Sequence, residues 1–253
     1  MKSVTATILT YNEERHIEVC LQSLLDVVDE IVVVDSFSTD STVDICLRYG
    51  CRVKQRRLAG YGAQRQYATS LASHNYILAI DADEALSPQL ARSILAIKAE
   101  GFTHRVYSTS RLNFFCGHPV HHCGWYPDTQ IRLFDRRYAN WNLRDVDERV
   151  IFRDSVTPEP VKGDILHYRA DTRSEFAIKE RHHAMITARE LSESCRAIAP
   201  LVPTAAALKA FVECYIGKRG FADGADGLAI SLERFRCARL SYRTARKLKT
   251  DRQ

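Results

Sequence analysis

The sequence predicts an α/β fold, with a mostly parallel, doubly wound (Rossmann-like) sheet flanked by helices and a C-terminal helical appendage. Three observations predict it. Short apolar runs alternate with segments of helical period through the first hundred residues, the pattern of successive βαβ units. Three of those runs end in polar or acidic residues, and parallel sheets place their ligands beyond the carboxyl ends of their strands. The chain has 253 residues, 45% hydrophobic and 26% charged, enough to bury roughly 70–75% of its unfolded surface without a disulfide or metal staple. With 11 Gly and 7 Pro, collagen-like, linker-rich and low-complexity chains are excluded.

Residues 4–10 read as a buried strand. Asn12 is placed to cap a helix, with Glu13 and Glu14 in its first turn, where carboxylates suit the helix dipole. Ile17, Cys20, Leu21, Leu24 and Leu25 supply its apolar stripe. Residues 30–35 (EIVVVD) form a second apolar strand. Asp40 caps a short helix through Val43, Cys46 and Leu47, closed by Gly50. Residues 51–56 give a third strand and 64–72 a helix. Residues 76–80 are a fourth strand, running into Asp81, Ala82, Asp83 and Glu84. Ser87 and Pro88 open a helix to Glu100, stopped by Gly101. Beyond Gly101 the pattern changes. Residues 104–115 alternate as a strand, 115–128 form a loop rich in His, Cys and aromatics, and 129–135, 148–152 and 163–167 read as further strands. Residues 171–193 form a helix, and 205–217 with 227–249 a helical pair around GKRGFADGADG. The expected organisation is a site-bearing domain over 1–170 and a helical region over 171–253.

The formal net charge is +5, and the excess sits in the tail. Residues 232–252 carry eight Arg and Lys against Glu233 and Asp251, interleaved with Phe235, Leu240 and Tyr242. A basic amphipathic helix of this kind can lie on an anionic membrane face; packing on the domain or a dimer contact are the alternatives. No nucleic-acid recognition motif accompanies the charge, so no nucleic-acid partner is expected. The 8 Cys are scattered without a CxxC, which suits a reducing, cytoplasmic compartment. The N-terminus does not read as a signal peptide, and no apolar run approaches the roughly 18 residues of a membrane span.

The chemistry concentrates at the strand ends. Asp81 and Asp83, one residue apart after a buried strand, can reach a divalent cation and a ribose, although acid-x-acid at a helix start also serves as a cap. Mg²⁺ and Mn²⁺ take few carboxylates and fill their remaining positions with phosphate oxygens and water, and so offset charge growing on a leaving diphosphate. Asp35 either caps its turn or contacts a nucleobase or ribose. Arg65, beside Gln64 near a helix start, is unfavourable for the dipole, and a bound anion would rationalise it. The cluster Cys116, His118, His121, His122 and Cys123 is a competing zinc signal, but it is packed more tightly than two separated ligand pairs.

The segments TILTYNEE, EIVVVDSFSTDST, GYGAQRQYA and YILAIDADE, continued by CGWYPDTQIRLF and the segment ending in DVDERV, resemble the successive motifs of family 2 glycosyltransferases with the GT-A fold. Within that family the chain is most similar to bacterial lipopolysaccharide-core glucosyltransferases of the WaaE type, which share a C-terminal segment like FVECYIGKRGFADGADGL. The resemblance implies a UDP-sugar donor, with glucose the sugar transferred. It implies a lipopolysaccharide inner-core acceptor, Mg²⁺ or Mn²⁺, and inversion at the anomeric carbon. A capsule oligosaccharide or polyprenyl phosphate is the alternative acceptor. The cysteine usage places the expected enzyme in the cytoplasm, and the basic tail would bring it to the inner face of the cytoplasmic membrane.

By position, Thr10, Tyr11, Asn12, Glu13 and Asp35 would line the nucleoside, with Gln64 and Arg65 near the base or phosphates. Asp81 and Asp83 would form the metal motif, Asp83 as direct ligand, and His167 would be a third ligand or a core histidine. Trp125 and Tyr126 would offer sugar-stacking faces, Asp128 and Gln130 hydroxyl partners, and Arg132 an anion contact. An inverting transfer is a single displacement that needs one general base. Glu148 is the candidate, standing where the family usually shows a His-Glu pair; here Asp147 precedes it and is a second candidate. A nucleotide-binding protein that has lost catalysis is the reading from another class, and the intact set of Asp35, Asp81, Asp83 and Glu148 argues against it.

Overall fold

In the first unit, four parallel strands carry the core: β1 (Val4–Thr10), β2 (Glu30–Asp35), β3 (Arg52–Gln55) and β4 (Tyr76–Asp81), ordered β3-β2-β1-β4. Helices α1 (Ile17–Leu24), α2 (Thr42–Arg48) and α3 (Tyr61–Leu71) connect them. Strands β1, β2 and β4 are near-continuous apolar runs because they are buried on both faces. The computed structural model describes residues 2–144, 148–152, 156–194 and 198–250. They divide into two compact units, Met1–Arg111 with Asp128–His167, and Leu112–Pro127 with Tyr168–Gln253.

The first unit continues through β5 (Glu84–Leu86), α4 (Pro88–Ala99), β6 (Val106–Phe115), β7 (His118–Pro119), β8 (Asp128–Asp135), β9 (Ala139–Trp141), β10 (Val150–Phe152) and β11 (Glu159–Ala170), of which β6 and β11 run on into the second unit and β7 lies in it. The main sheet extends as β4-β8-β6-β11-β5. The β4–β8, β8–β6 and β11–β5 pairs are antiparallel, so the sheet is mixed, with its parallel part confined to the first four strands. Ile8, Ile17, Leu21, Leu24, Ile80 and Leu90 are among the residues filling the principal core, each worth about 1.5–3 kcal/mol of burial. A smaller cluster joins Ile77, Phe134, Trp141 and Val150.

One expectation shifts at an element start. α1 begins at Ile17, after a His16 N-cap that makes no side-chain cap bond. Asn12 instead takes φ 54°, a left-handed conformation that Asn tolerates better than most residues. From there its Oδ1 accepts the Thr39 N–H at 2.8 Å, tying the β1 turn to the β2 turn. By contrast, Ser87 caps α4 as the spacing predicts, its Oγ accepting the Leu90 N–H at 3.2 Å. β5 and β9, three residues each, are too short to display a period of two.

The second unit packs α5 (Arg173–Ser194), α6 (Val202–Val212) and α7 (Gly224–Thr250), with a π turn over Glu213–Gly217 and a 3₁₀ turn over Gly220–Asp223. Its core joins Phe115, Val120, Cys123, Phe176, Cys214 and Ile230. The seven cysteines among the described residues are free thiols. Among the described residues no helix is long and apolar enough to cross a membrane.

Candidate active site

The site grows from the carboxyl end of β4. Asp81 ends that strand beside Leu9 of β1, and the chain then turns through Ala82 and Asp83 into β5. Cys20 lies beneath the turn, its Sγ 3.6 Å from the Asp81 carbonyl. Burial first, then the carboxylates of Glu84, Asp81 and Asp83, push this thiol well above its ordinary pKa. It is an inert packing residue that registers how much negative charge converges here.

Arg65, in the second turn of α3, balances that charge. It is 7% exposed, with Nη2 2.8 Å from Asp81 Oδ1 and Nε 3.1 Å from Glu148 Oε1, and its guanidinium lies over the Trp141 ring at 4.7 Å. Burial disfavours its charge, but Asp81 and Glu148 outweigh burial and hold its pKa above the ordinary value. The counter-charges that the sequence reading sought in a bound anion are thus carboxylates of the chain itself. One buried guanidinium joins Asp81 to Glu148, which the sequence separates by 67 residues, 148 less 81.

Arg132 of β8 donates from Nη2 to Asp81 Oδ2 at 3.2 Å and to Glu84 Oε1 at 3.0 Å. Burial opposes ionisation of Asp81, yet Arg65 and Arg132 hold its carboxyl well below the usual range. Arg132, the expected anion contact, is 4% exposed; its Nη2 serves Asp81 and Glu84, while its buried Nε and Nη1 have no hydrogen-bond partner among the described residues. Glu84, 1% exposed, accepts the Asp81 backbone N–H at 3.0 Å and Arg111 Nη1 at 3.3 Å. Arg111 stands opposite Asp128 across the β6–β8 ladder and binds it through Nε at 2.8 Å and Nη2 at 2.7 Å. Gln130 Nε2 donates to the other Asp128 oxygen at 2.6 Å. Burial works against the Asp128 charge, but Arg111 and Gln130 bring its pKa below the ordinary value. Glu84 and Arg111 were missed by sequence reasoning. Glu84 was in view as the last acid of DADE, whereas Arg111 needed the strand pairing to reveal its partners.

Asp83 and His167 meet on the other side of the turn, with Oδ2 3.3 Å from Nε2. The β11–β5 register, which sets His167 opposite Glu84, brings them together. Among the described residues no three His, Cys, Asp or Glu side chains form a cation cage. The donor set on this side is one carboxylate and one imidazole. It fits a small hard cation whose remaining positions are taken by phosphate oxygens and water.

The residues expected along the nucleoside divide. Tyr11 is 58% exposed and Asn12 is exposed, while Glu13 binds His16 at 3.3 Å. Thr10 and Gln64 are buried, and Gln64 Nε2 donates to the Arg56 carbonyl at 3.0 Å. Asp35 is wholly buried. Its carboxylate accepts the Ser38 N–H at 3.0 Å, the Ser38 hydroxyl, and Gln55 Nε2 at 3.1 Å, so here it secures its own turn instead of presenting an open oxygen. Asp147 lies outside the described residues.

Trp125 and Tyr126 belong to the second unit. Trp125 is 6% exposed, edge-on to Phe115 and Phe176, with the Arg169 guanidinium over its ring at 5.0 Å. It is a core residue and not the free stacking face expected of it. Tyr126 is half-buried and meets the His121 ring. In the same loop His118 and His122 lie 2.9 Å from Asp226 and Asp223, respectively.

Gly62 sets the distance between α3 and the segment that follows β9. Its N–H donates to the Arg144 carbonyl at 3.1 Å, and a Cβ there would sit 2.2 Å from the Asn142 carbonyl oxygen. Gly62→Ala is expected to cost about 1–3 kcal/mol through that overlap. Thermal denaturation measures the cost, and a variant as stable as the parent would contradict the close approach.

Residues 5–156 match the family model described as Glycosyl transferase family 2, more than half of the chain. An uncharacterized glycosyltransferase of Rickettsia typhi is 27% identical over 248 residues, covering 92% of this chain and 82% of that protein. The lipopolysaccharide core biosynthesis glycosyltransferase LpsC of Rhizobium meliloti is 26% identical over 201 residues, covering 76% and 72%. A crystal structure of glucosyl-3-phosphoglycerate synthase from Mycobacterium tuberculosis with Mn²⁺, UDP and phosphoglyceric acid is 23% identical, with a TM-score of 0.37; the match covers 44% of this chain and 43% of that one.

Proposed function

The chain belongs to glycosyl transferase family 2, and from that premise we propose that it transfers glucose from UDP-glucose to a lipopolysaccharide inner-core acceptor, with inversion. Use of a nucleotide sugar follows from the family. The acceptor class is supported by likeness to a relative named for lipopolysaccharide core biosynthesis. The observation that carries the reading is the Asp81–Arg65–Glu148 link, because it holds the general-base candidate against the strand end that bears the metal motif.

Asp83 with His167 would hold Mg²⁺ or Mn²⁺, which when bound would neutralise charge on the departing diphosphate. Glu148 accepts the proton of the acceptor hydroxyl as its oxygen bonds to the anomeric carbon and the bond from that carbon to the diphosphate oxygen breaks. Arg65 fixes one Glu148 oxygen and so aims the carboxylate. Asp81 stays ionised under Arg65 and Arg132, keeping the strand end negative toward a cation. Asp128, held by Arg111, and Gln130, which donates to Asp128, present polar atoms for acceptor hydroxyls. The acceptor is membrane-anchored lipopolysaccharide precursor, which places the enzyme at the cytoplasmic face of the inner membrane.

Ligands that bind only the folded state raise the melting temperature. A panel of UDP, GDP and CDP sugars with Mg²⁺ or Mn²⁺ is expected to stabilise the protein selectively with UDP sugars, and more strongly with metal. Asp83→Asn is expected to remove the metal-dependent increment. Equal stabilisation by all three nucleotides, or an increment that survives Asp83→Asn, would count against the donor site as assigned.

A further inference from the structure

The second unit carries an apolar helix surface that its own core does not use. α6 turns Pro203 and Ala207 inward, and the π turn after it buries Cys214. On the opposite side Leu201, Leu208, Val212 and Ile216 recur at helical spacing and are 81, 54, 49 and 60% exposed. Lys209 is the sole charged residue of α6. A helix with one face on a core ordinarily carries polar residues on the other, and contiguous exposed apolar surface marks a docking site.

α7 packs against α6 and carries an exposed stripe of its own. Leu228 and Leu232 are exposed, and the same helical stripe then passes through Arg236, Arg239, Arg243 and Lys247, all exposed. A groove of about 870 Å³ runs here, lined by those four cations together with Arg181, Phe235 and Leu240. Glu233, the acid that lines it, is taken by Arg236 at 3.0 Å. The unit therefore presents exposed aliphatic side chains and a groove in which lining cations outnumber the lining acid Glu233. A bilayer of anionic phospholipid offers the matching pair, an acyl boundary under a layer of phosphates. A second copy of this chain apposed through the same face would bring the same excess of cations.

We propose that α6 and α7 form a docking surface for an anionic phospholipid bilayer. Leu208, Val212 and Ile216 enter the headgroup boundary, and Arg239, Arg243 and Lys247 take lipid phosphates. This surface is independent of the donor and acceptor chemistry, so either reading can fail alone.

Co-sedimentation of the full chain with phosphatidylcholine vesicles, with and without phosphatidylglycerol, tests it. The parent is expected to sediment with the phosphatidylglycerol vesicles and to release as salt screens the attraction. Val212→Glu with Ile216→Glu is expected to stay in the supernatant. Arg239→Gln with Arg243→Gln is expected to weaken binding about fivefold for each cation removed. All four positions are exposed, so an unchanged melting temperature confirms that lost binding is not unfolding; if the glutamate pair unfolds, the glutamine pair decides. A parent that ignores phosphatidylglycerol vesicles, or a glutamate pair that binds them as the parent does, overturns the proposal. So does a parent dimer, seen by sedimentation equilibrium, that the glutamates convert to monomer without any vesicle binding.

Discussion

Glu148→Gln is expected to lower kcat for sugar transfer by about 10²–10⁴-fold, the range that a positioned general base contributes, with nucleotide affinity nearly unchanged. The amide keeps the shape of the side chain and can still accept from Arg65 Nε through its carbonyl oxygen. It cannot take the acceptor proton. The expected kinetic signature is a fall in kcat and kcat/KM together, since the lost interaction belongs to the transition state. UDP binding by calorimetry, set beside initial rates, separates this from a collapsed site. Full activity in Glu148→Gln would remove Glu148 as the base and leave Asp147 as the candidate to test.

Arg65→Met is the second large effect. It leaves two carboxylates at a strand end without the buried cation that joins them, and breaking such a pair by removing one partner costs about 3–5 kcal/mol. The cost has a pH signature. Asp81 is depressed below its unfolded value near 3.9 by Arg65 and Arg132, after burial has worked the other way. A depressed carboxyl contributes stability that is fully present above the unfolded pKa and is lost as pH falls through the folded pKa. The gap in melting temperature between parent and Arg65→Met is therefore expected to be widest near neutrality and to narrow in acid. Arg65→Lys keeps the charge but not the fork that serves Asp81 and Glu148 at once, and is expected to fall between the two. A gap that does not change with pH would show that Asp81 draws little from Arg65.

The parallel part of the sheet is legible in the sequence because β1, β2 and β4 are short runs dominated by apolar residues, interrupted only by Thr in β1, that end in Thr10, Asp35 and Asp81. Strands buried on both faces announce themselves through composition alone. Asp81, Asp83 and Glu148 were legible as residue types in motifs, but their joining was not. Arg65 looks misplaced on its helix, and its partners lie at the end of β4 and just before β10, visible only once the chain is folded. Arg132 is expected from the sequence as an anion contact; that its Nη2 also holds Asp81 and Glu84 follows only from β8 entering the sheet beside β4. Trp125 was read as a stacking face because aromatic residues in a glycine-containing loop suit sugars; the core around Phe115 and Phe176 claims it instead. The tail was read through its cations. The more telling surface is the aliphatic face of α6, whose exposure a sequence cannot report because the buried side of the same helix is equally apolar.

The central claim is metal-assisted, inverting transfer from UDP-glucose with Glu148 as base. Its most direct measurement is release of UDP from UDP-glucose by the purified chain, with lipopolysaccharide inner core as acceptor, with and without Mn²⁺, and with the anomeric configuration of the product read by NMR. The expected result is UDP release that requires both Mn²⁺ and acceptor, a product of inverted configuration, and near-silence from Glu148→Gln. Release that is indifferent to Mn²⁺, or a product that retains the donor configuration, would contradict it.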